Sequence, residues 1–371
     1  MTGKICKALS RLKWMGALGL MACLLAFVPE QIEGNYAGVP MQLSAYGLFA
    51  GDMADQIPAE GVIPYKLNTP LFSDYAEKLR FVKLPEGTSV AYNAERVLDF
   101  PIGTTIIKTF YYPHDARDPS KGRRLMETRL LIHEEKGWKA LPYHWDEEQQ
   151  DAYLEVAGDT KTVQWRDENG KKQKVDYVMP NVNQCKSCHS WDGAMTPIGP
   201  SARQLNGDLA YASGSQNQLQ FWEEYGVIEE LPEDLMEVPH LPDWEDPSDG
   251  TTAARARAWL DINCAHCHNP HGPASTSGFF LDIHQDDPTV LGVYKTPVAA
   301  GRGSGGLKYD IHPGRPGASI LVYRIESTDP GVRMPEVGRS LVHKEGLATI
   351  KQWIAEMKDE DRGPRSSWVD V

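Results

Sequence analysis

Six residues in two short runs carry the chemistry of this chain. Cys185, Cys188 and His189 close the run NQCKSCH, and Cys264, Cys267 and His268 close INCAHCH. Each run reads C-x-x-C-H, the attachment sequence for c-type haem. The order follows from the reaction. Two thiols one helical turn apart add their S–H bonds across the two vinyl groups of haem, and the next residue presents an imidazole to the iron. Zinc is the competing reading, because two C-x-x-C pairs can build a Cys₄ site. The usual gap between such pairs is about 15 to 20 residues, whereas 75 residues separate Cys188 from Cys264. Disulfides among four exported cysteines compete weakly, because a histidine follows each pair at once. A thioredoxin-like redox pair would stand near a βαβ unit, and none flanks either pair. The spacing therefore implies two covalently bound haems c. His266 occupies an x position of the second motif and reads as a bystander, and His271 reads as a surface loop residue.

An iron-bound imidazole usually gives its second N–H to a carbonyl. Gly199-Pro200 follows the first motif and Gly272-Pro273 the second, and Pro200 is the expected acceptor for His189. The expected sixth ligand of the second haem is Met334, in DPGVRMPEVG, 66 residues after His268. For the first haem the candidates are Met195, Met236 and His240, a ligand from elsewhere, or an open position.

The elements that must hold these residues differ along the chain. TTIIKTFYY (104–112), TRLLIHE (128–134) and WKALPYHW (138–145) carry β-branched and aromatic residues bounded by turn formers. KTVQWRDENGKKQKVDYVM signals a hairpin, with Asn169-Gly170 in a type I′ turn and Val163 and Trp165 facing Val175 and Tyr177. His114, His133 and His144 fall in this region and read as structural or solvated rather than as a metal site. Residues 216–228 predict a helix that covers the first haem with Leu219, Trp222 and Tyr225. TTAARARAWLDINCAHCH leads into the second motif as a helix, residues 318–327 form another, and 343–359 repeat Leu347, Ile350, Ile354 and Met357 at helical spacing. The expected fold class is α+β and multidomain. A β-rich, sandwich-like domain spans 45–178, and mainly α-helical cytochrome c-like units follow, a first haem segment at 179–248 and a second haem domain at 249–360.

Residues 1–28 carry Lys4, Lys7, Arg11 and Lys13 ahead of the uncharged run WMGALGLMACLLAFV, the pattern of a signal peptide or N-terminal membrane anchor. A periplasmic, exported protein is expected, with a membrane tether if the segment is kept. The net charge of −13 becomes −17 without these residues, since they hold four positive charges and no negative ones. That balance excludes a nucleic-acid binder, which would show basic patches, and favours partners with basic surfaces.

The runs VNQCKSCH…TPIGPSARQLN, ARAWLDINCAHCHNPHGPASTSG and MPEVGR…WI together resemble exported bacterial two-haem c-type cytochromes with a β-rich N-terminal region. SGFFLD and HPGRPGASILVYRIES…RMPE are similar to the cytochrome c modules of planctomycetes. The resemblance spans roughly residues 45 to 358. It implies haem binding and export, and a partner among parallel β-helix proteins. Two functions follow. The first is single-electron transfer between redox partner proteins, such as a dehydrogenase and a terminal acceptor. The second is a haem enzyme of the diheme peroxidase type with one open haem. Electron transfer, and not enzymatic turnover, is the expected role.

Overall fold

In a computed structural model, residues 36–358 are described. The chain divides into two units, Met1–Met41 and Gln42–Val371. In the first, the described residues form a turn closed by Val39 N donating to Tyr36 O. The expected signal or anchor at 1–28 lies outside the described residues. The second unit contains all three expected segments, 45–178, 179–248 and 249–360. No described helix is long and apolar enough to cross a membrane.

A six-stranded antiparallel sheet dominates. Its strands are β1 (Val62–Pro64), β2 (Glu77–Lys83), β3 (Thr105–Pro113), β4 (Arg123–Glu134), β5 (Gly137–Trp145) and β6 (Ala152–Leu154). Their order in the sheet equals their order in the chain, as short loops between antiparallel neighbours require. Alternation assigns the two faces. Phe81, Ile107, Leu130 and Leu141 share one face, which the segment 43–58 covers through Phe49 on Phe81 and Tyr46 on Tyr143. The other face carries three successive rows: Val82, Ile106, Leu131 and Ala140; then Arg80, Lys108, Arg129 and Pro142; then Lys78, Phe110, Glu127 and His144.

The hairpin β7 (Asp159–Arg166) and β8 (Lys172–Met179) packs on one end of that second face. Val163 stands opposite Val175, and Trp165 and Tyr177 lie on the same buried side. The turn is not type I′, which needs positive φ at both central residues. Only Gly170 has it, at 77°, and the Asp167 carboxylate accepts instead from the N–H groups of Asn169 and Lys171.

The expected fold class is corrected by this architecture. The chain is β-rich, and no mainly α-helical domain surrounds either motif. Six α-helices stand among the described residues: α1 (Val182–Cys188), α2 (Ala202–Leu205), α3 (Gln218–Glu224), α4 (Thr252–Leu260), α5 (Ile320–Glu326) and α6 (Lys344–Glu356). The expected helices exist but stop early. Between His268 and Pro316 the chain has no α-helix, because runs such as HNPHGPASTSG and HPGRPG interrupt it. Proline lacks the N–H that a helix needs and glycine carries the largest backbone entropy cost.

Helix α3 is also reassigned. Leu219 and Trp222 are fully buried against Tyr65, Val82 and Ile106 of the sheet side, each such burial contributing about 1.5–3 kcal/mol. Tyr225 is 62% exposed. None of the three lines the cavity described below, so α3 braces the sheet rather than that cavity.

Candidate functional site

Both motifs sit at the ends of helices, and in both the histidine N–H donates to the carbonyl of the first cysteine. Asn181 caps α1, taking the N–H of Gln184 at 2.9 Å while the Gln184 amide oxygen accepts from the Asn181 N–H at 2.9 Å, a capping box. The helix then sets Cys185 and Cys188 one turn apart and ends at His189, whose N–H donates to Cys185 O at 3.0 Å. Thr251 caps α4, and beyond Leu260 the backbone widens into a π-turn over Asp261–Ala265. His268 N–H then donates to Cys264 O at 2.9 Å. Gly272 makes the turn that follows, since a Cβ there would collide with the Cys267 carbonyl.

Each motif histidine is fixed by a carbonyl. His189 Nδ1 is 3.0 Å from Thr196 O, and the Thr196 N–H returns to His189 O at 3.0 Å. The short hairpin Ser190–Trp191 with Ala194–Met195 brings Thr196 back into this position. His268 Nδ1 is 3.0 Å from Phe279 O, and the Leu281 N–H donates to His268 O at 2.9 Å. Burial pushes His189 and His268 each down to about 4. Both rings are therefore neutral near pH 7, hold their proton on Nδ1 and leave Nε2 as a lone-pair donor. The expected role of Pro200 is corrected. Its carbonyl accepts from Leu98 N–H at 3.1 Å, across an isolated bridge between Val97 and Ser201, and Thr196 is the partner of His189.

The two motifs meet. The Cys188 and Cys267 thiols hydrogen-bond, which holds Cys188 low, with help from His266, and Cys267 high. Burial pushes Cys185 up and Cys264 up to about 12. His271 adds a surface clasp. Its ring stacks on Trp191 at 4.5 Å, its Nδ1 reaches the Asp192 carboxylate at 3.0 Å, and its carbonyl accepts from Asp192 N–H. All four cysteines are free thiols. No group of three or more His, Cys, Asp or Glu side chains among the described residues stands at metal-binding spacing, so the four thiols do not converge as a Cys₄ zinc site would require.

A cavity of about 1600 Å³, part of it open to solvent, lies against the first motif. Cys185, Cys188 and His189 line it on one side, Ile106, Leu131 and Ala140 of the sheet on another, and His266, Trp259, Ile262 and Asn263 on a third. The apolar lining, the paired thiols and the neutral imidazole suit a covalently held haem. His266 Nδ1 is buried without a hydrogen-bond partner, so His266 is a wall residue of this cavity and more than a bystander.

Met334 lines the same cavity. Its loop also acts on the second motif, where Glu336 raises Cys267 and Arg339 lowers Cys264. The loop is held firmly. Arg339, 6% exposed, donates to Met334 O from Nε at 3.0 Å and from Nη2 at 2.6 Å, and to the carbonyls of Ile325 and Leu341 at 2.9 and 3.0 Å. The Asp74 carboxylate accepts from Ser340 N–H and Leu341 N–H at 2.8 and 2.7 Å.

The sequence candidates for the first distal position do not gather here. Met236 is 89% exposed, and His240 bonds Asn206 O and Asp249. Met195 lies in the hairpin after the motif, outside the cavity lining. His343 is on the cavity wall instead. Its ring stacks on Phe72 at 4.2 Å, its Nδ1 accepts from Trp259 Nε1 at 3.0 Å, and burial pushes it down to about 3. His114, His133 and His144 do not form a cluster. His133 bonds Phe100 O and stacks on Trp138. Sequence reasoning missed His343 and the charged wall of Arg80, Lys108 and Arg129. One signal was present, since Lys108 interrupts the alternation of Ile106 and Phe110 within an apolar strand.

Comparison with protein families, with curated proteins and with solved structures found no match to this chain.

Proposed function

We propose that this protein is an exported diheme c-type cytochrome that carries single electrons between redox partner proteins. One observation carries the reading. Two C-x-x-C-H turns each end in a neutral imidazole whose Nδ1 is fixed on a carbonyl. A bound haem c would supply one-electron exchange between ferric and ferrous iron. Cys185 and Cys188 would hold the first group covalently and His189 its iron; Cys264, Cys267 and His268 would hold the second. Thr196 O and Phe279 O orient the imidazoles, and the apolar walls of the cavity limit water. Met334, expected at the sixth position of the second iron, lines the cavity of the first motif and is the thioether candidate for either iron, with its loop held by Arg339. The acidic balance of the chain suits a partner with a basic docking face, and export follows from residues 1–28. The likeness of the motif runs to two-haem exported cytochromes belongs to the same reading.

The test is protein matured in an exporting, haem-attaching host. Two haem additions by mass and low-spin ferric and ferrous spectra are the expected result. A mass matching the bare polypeptide, or the polypeptide with zinc, overturns the reading. A second reading, a diheme peroxidase-type enzyme with one open haem, is favoured by the surface positions of Met236 and His240, which leave the first distal position without either expected ligand. Carbon monoxide binding by one ferrous haem together with peroxide turnover would select it over electron carriage.

A further inference from the structure

Strand register sets Arg80 of β2 opposite Lys108 of β3, and Lys108 opposite Arg129 of β4. Residues directly opposite on one face of an antiparallel pair stand about 4.5–5.5 Å apart at Cβ, where like charges repel. Three cations thus form a row across three strands, and Lys78 in the next row adds a fourth. One carboxylate among the described residues is hydrogen-bonded to the row. Glu127 takes Arg129 at 2.8 and 2.5 Å, and the Tyr177 hydroxyl donates to it at 2.7 Å. Lys108 and Arg129 also lie over the Phe110 ring, at 4.9 and 4.2 Å from its centroid. Arg80 is 6% exposed, and its Nη2 has no hydrogen-bond partner. Burial, then Arg80, Lys78 and Arg129, pushes Lys108 well below the usual lysine range, against Glu127.

Asp74 and Glu77 act on Lys78, and the flanks of Arg80, Lys108 and Arg129 are apolar. On one side the hairpin closes over Phe110 and Met126, and on the other Val82 and Ile106 pack against Leu219 and Trp222. A chain with 51 acidic residues and a net charge of −13 has thus left a cationic row, buried at Arg80 and half-buried at Lys108 and Arg129, with one hydrogen-bonded carboxylate. A buried charge with an unpartnered donor is costly, so Arg80, with Lys108 beside it, calls for an anion. Arg80, Lys108 and Arg129 line the cavity that also takes Cys185, Cys188 and His189.

We propose that this row binds the propionate carboxylates of the haem attached at Cys185 and Cys188. Haem c carries its carboxylates at one edge of the porphyrin and its thioether links at the other. Arg80 and Lys108 have open donor capacity, while Arg129 is already held by Glu127. The β-sheet then supplies the carboxylate end of the site and α1 the thioether end. This inference rests on the two-haem reading.

The test uses holoprotein carrying Arg80→Gln, Lys108→Gln or the charge-keeping Arg80→Lys, each also made with Cys264→Ser and Cys267→Ser so that only the first haem remains. Haem count is read by mass and midpoint potential by titration. Loss of a nearby cation disfavours the ferrous state relative to wild type. The ferrous-to-ferric ratio at fixed poise should fall about tenfold in each neutral variant, a shift of about −59 mV, and Arg80→Lys should restore it. A structural role alone would not distinguish Arg80→Lys from Arg80→Gln in this way. Lys108→Met guards against misfolding, since losing the central cation relieves repulsion; it should fold and show the same shift. Unchanged potentials with haem attached overturn the assignment and leave the two-haem reading standing. No haem at Cys185 and Cys188 overturns both. A saturable spectral shift of the wild type with sodium phosphate or succinate, abolished by Arg80→Gln, assigns the row to a free anion and overturns the propionate reading.

Discussion

Replacing Arg339 by alanine tests whether the Met334 loop is held in place from behind. The guanidinium makes six contacts of 3.2 Å or less with five carbonyls, those of Arg324, Ile325, Ser327, Met334 and Leu341. Nη2 has two hydrogens and four of these contacts, so about four full hydrogen bonds are at stake. At about 1 kcal/mol net each, the gross loss is about 4 kcal/mol. Rehydration of the loop carbonyls returns part of it, leaving about 2–4 kcal/mol and a fall in Tm of about 3–6 °C. Arg339→Lys keeps the charge but offers three hydrogens from one point in place of a planar fork, so it should lose about half as much. Thermal unfolding followed by circular dichroism measures the stability. In the holoprotein, the weak methionine–iron charge-transfer band reports the thioether, and it should weaken in both variants in the same order. An unchanged Tm refutes the hydrogen-bond accounting. A lowered Tm with an unchanged band refutes the link between Arg339 and the position of Met334.

Met334→Ala should lower the potential and admit carbon monoxide in protein that keeps only the His268 haem, through Cys185→Ser and Cys188→Ser. The same effect confined to the His189 haem would move the thioether to the other iron. His343 is held down to about 3 by burial, against about 6.5 in the unfolded chain. The unfolded state therefore binds more protons between those values, and stability should fall as pH drops from about 6.5 towards 3. His343→Phe should flatten that part of a urea-denaturation pH profile, and an unaltered slope counts against the assignment. Gly346→Ala sets two effects against each other. Alanine favours an exposed helix by about 1 kcal/mol, but here the Cβ would run into the Trp259 indole and crowd His343 Nδ1. A net loss of about 1–3 kcal/mol is expected, and a gain on chemical denaturation would show that α6 can move aside.

The two attachment turns were legible because their geometry is local. Spacings of three and four residues put two thiols and an imidazole on one helix end whatever surrounds them. The acceptor of His189 was not legible. Gly199-Pro200 has the right spacing, but the Ser190–Met195 hairpin delivers Thr196 first, and Leu98 claims the Pro200 carbonyl. Strand alternation found the apolar side of the 159–179 hairpin, and the Asn169-Gly170 pair misled about its turn because the Asp167 carboxylate organises a longer loop. Helical period found α4, α5 and α6 as well as α3. It did not reveal how little helix lies between them, nor that Trp222 serves the sheet. The cationic row was hidden for a different reason. Arg80, Lys108 and Arg129 are each ordinary in their own strands, and only the pairing register makes them neighbours.

That register changes what the sheet is for. A β-rich region and a haem-binding region could have been separate modules joined by a linker. Instead, one cavity is walled by Arg80, Lys108 and Pro142 of the sheet, by Cys185, His189 and Gly199, and by Trp259, Met334 and His343. A change at Lys108 is therefore felt at His189, where Lys108 already acts to lower the imidazole. Asp74, from the segment before β2, anchors Ser340 and Leu341, so the sheet side also steadies the Met334 loop. The contact of the Cys188 and Cys267 thiols has a consequence on the two-haem reading. Both covalent attachments would then share one edge, and an electron could pass between the two groups beside His266 without an intervening redox residue. The outer surfaces of the molecule would be left to choose partners, and the rigid inner wall of strands would hold the donor and acceptor in fixed relation.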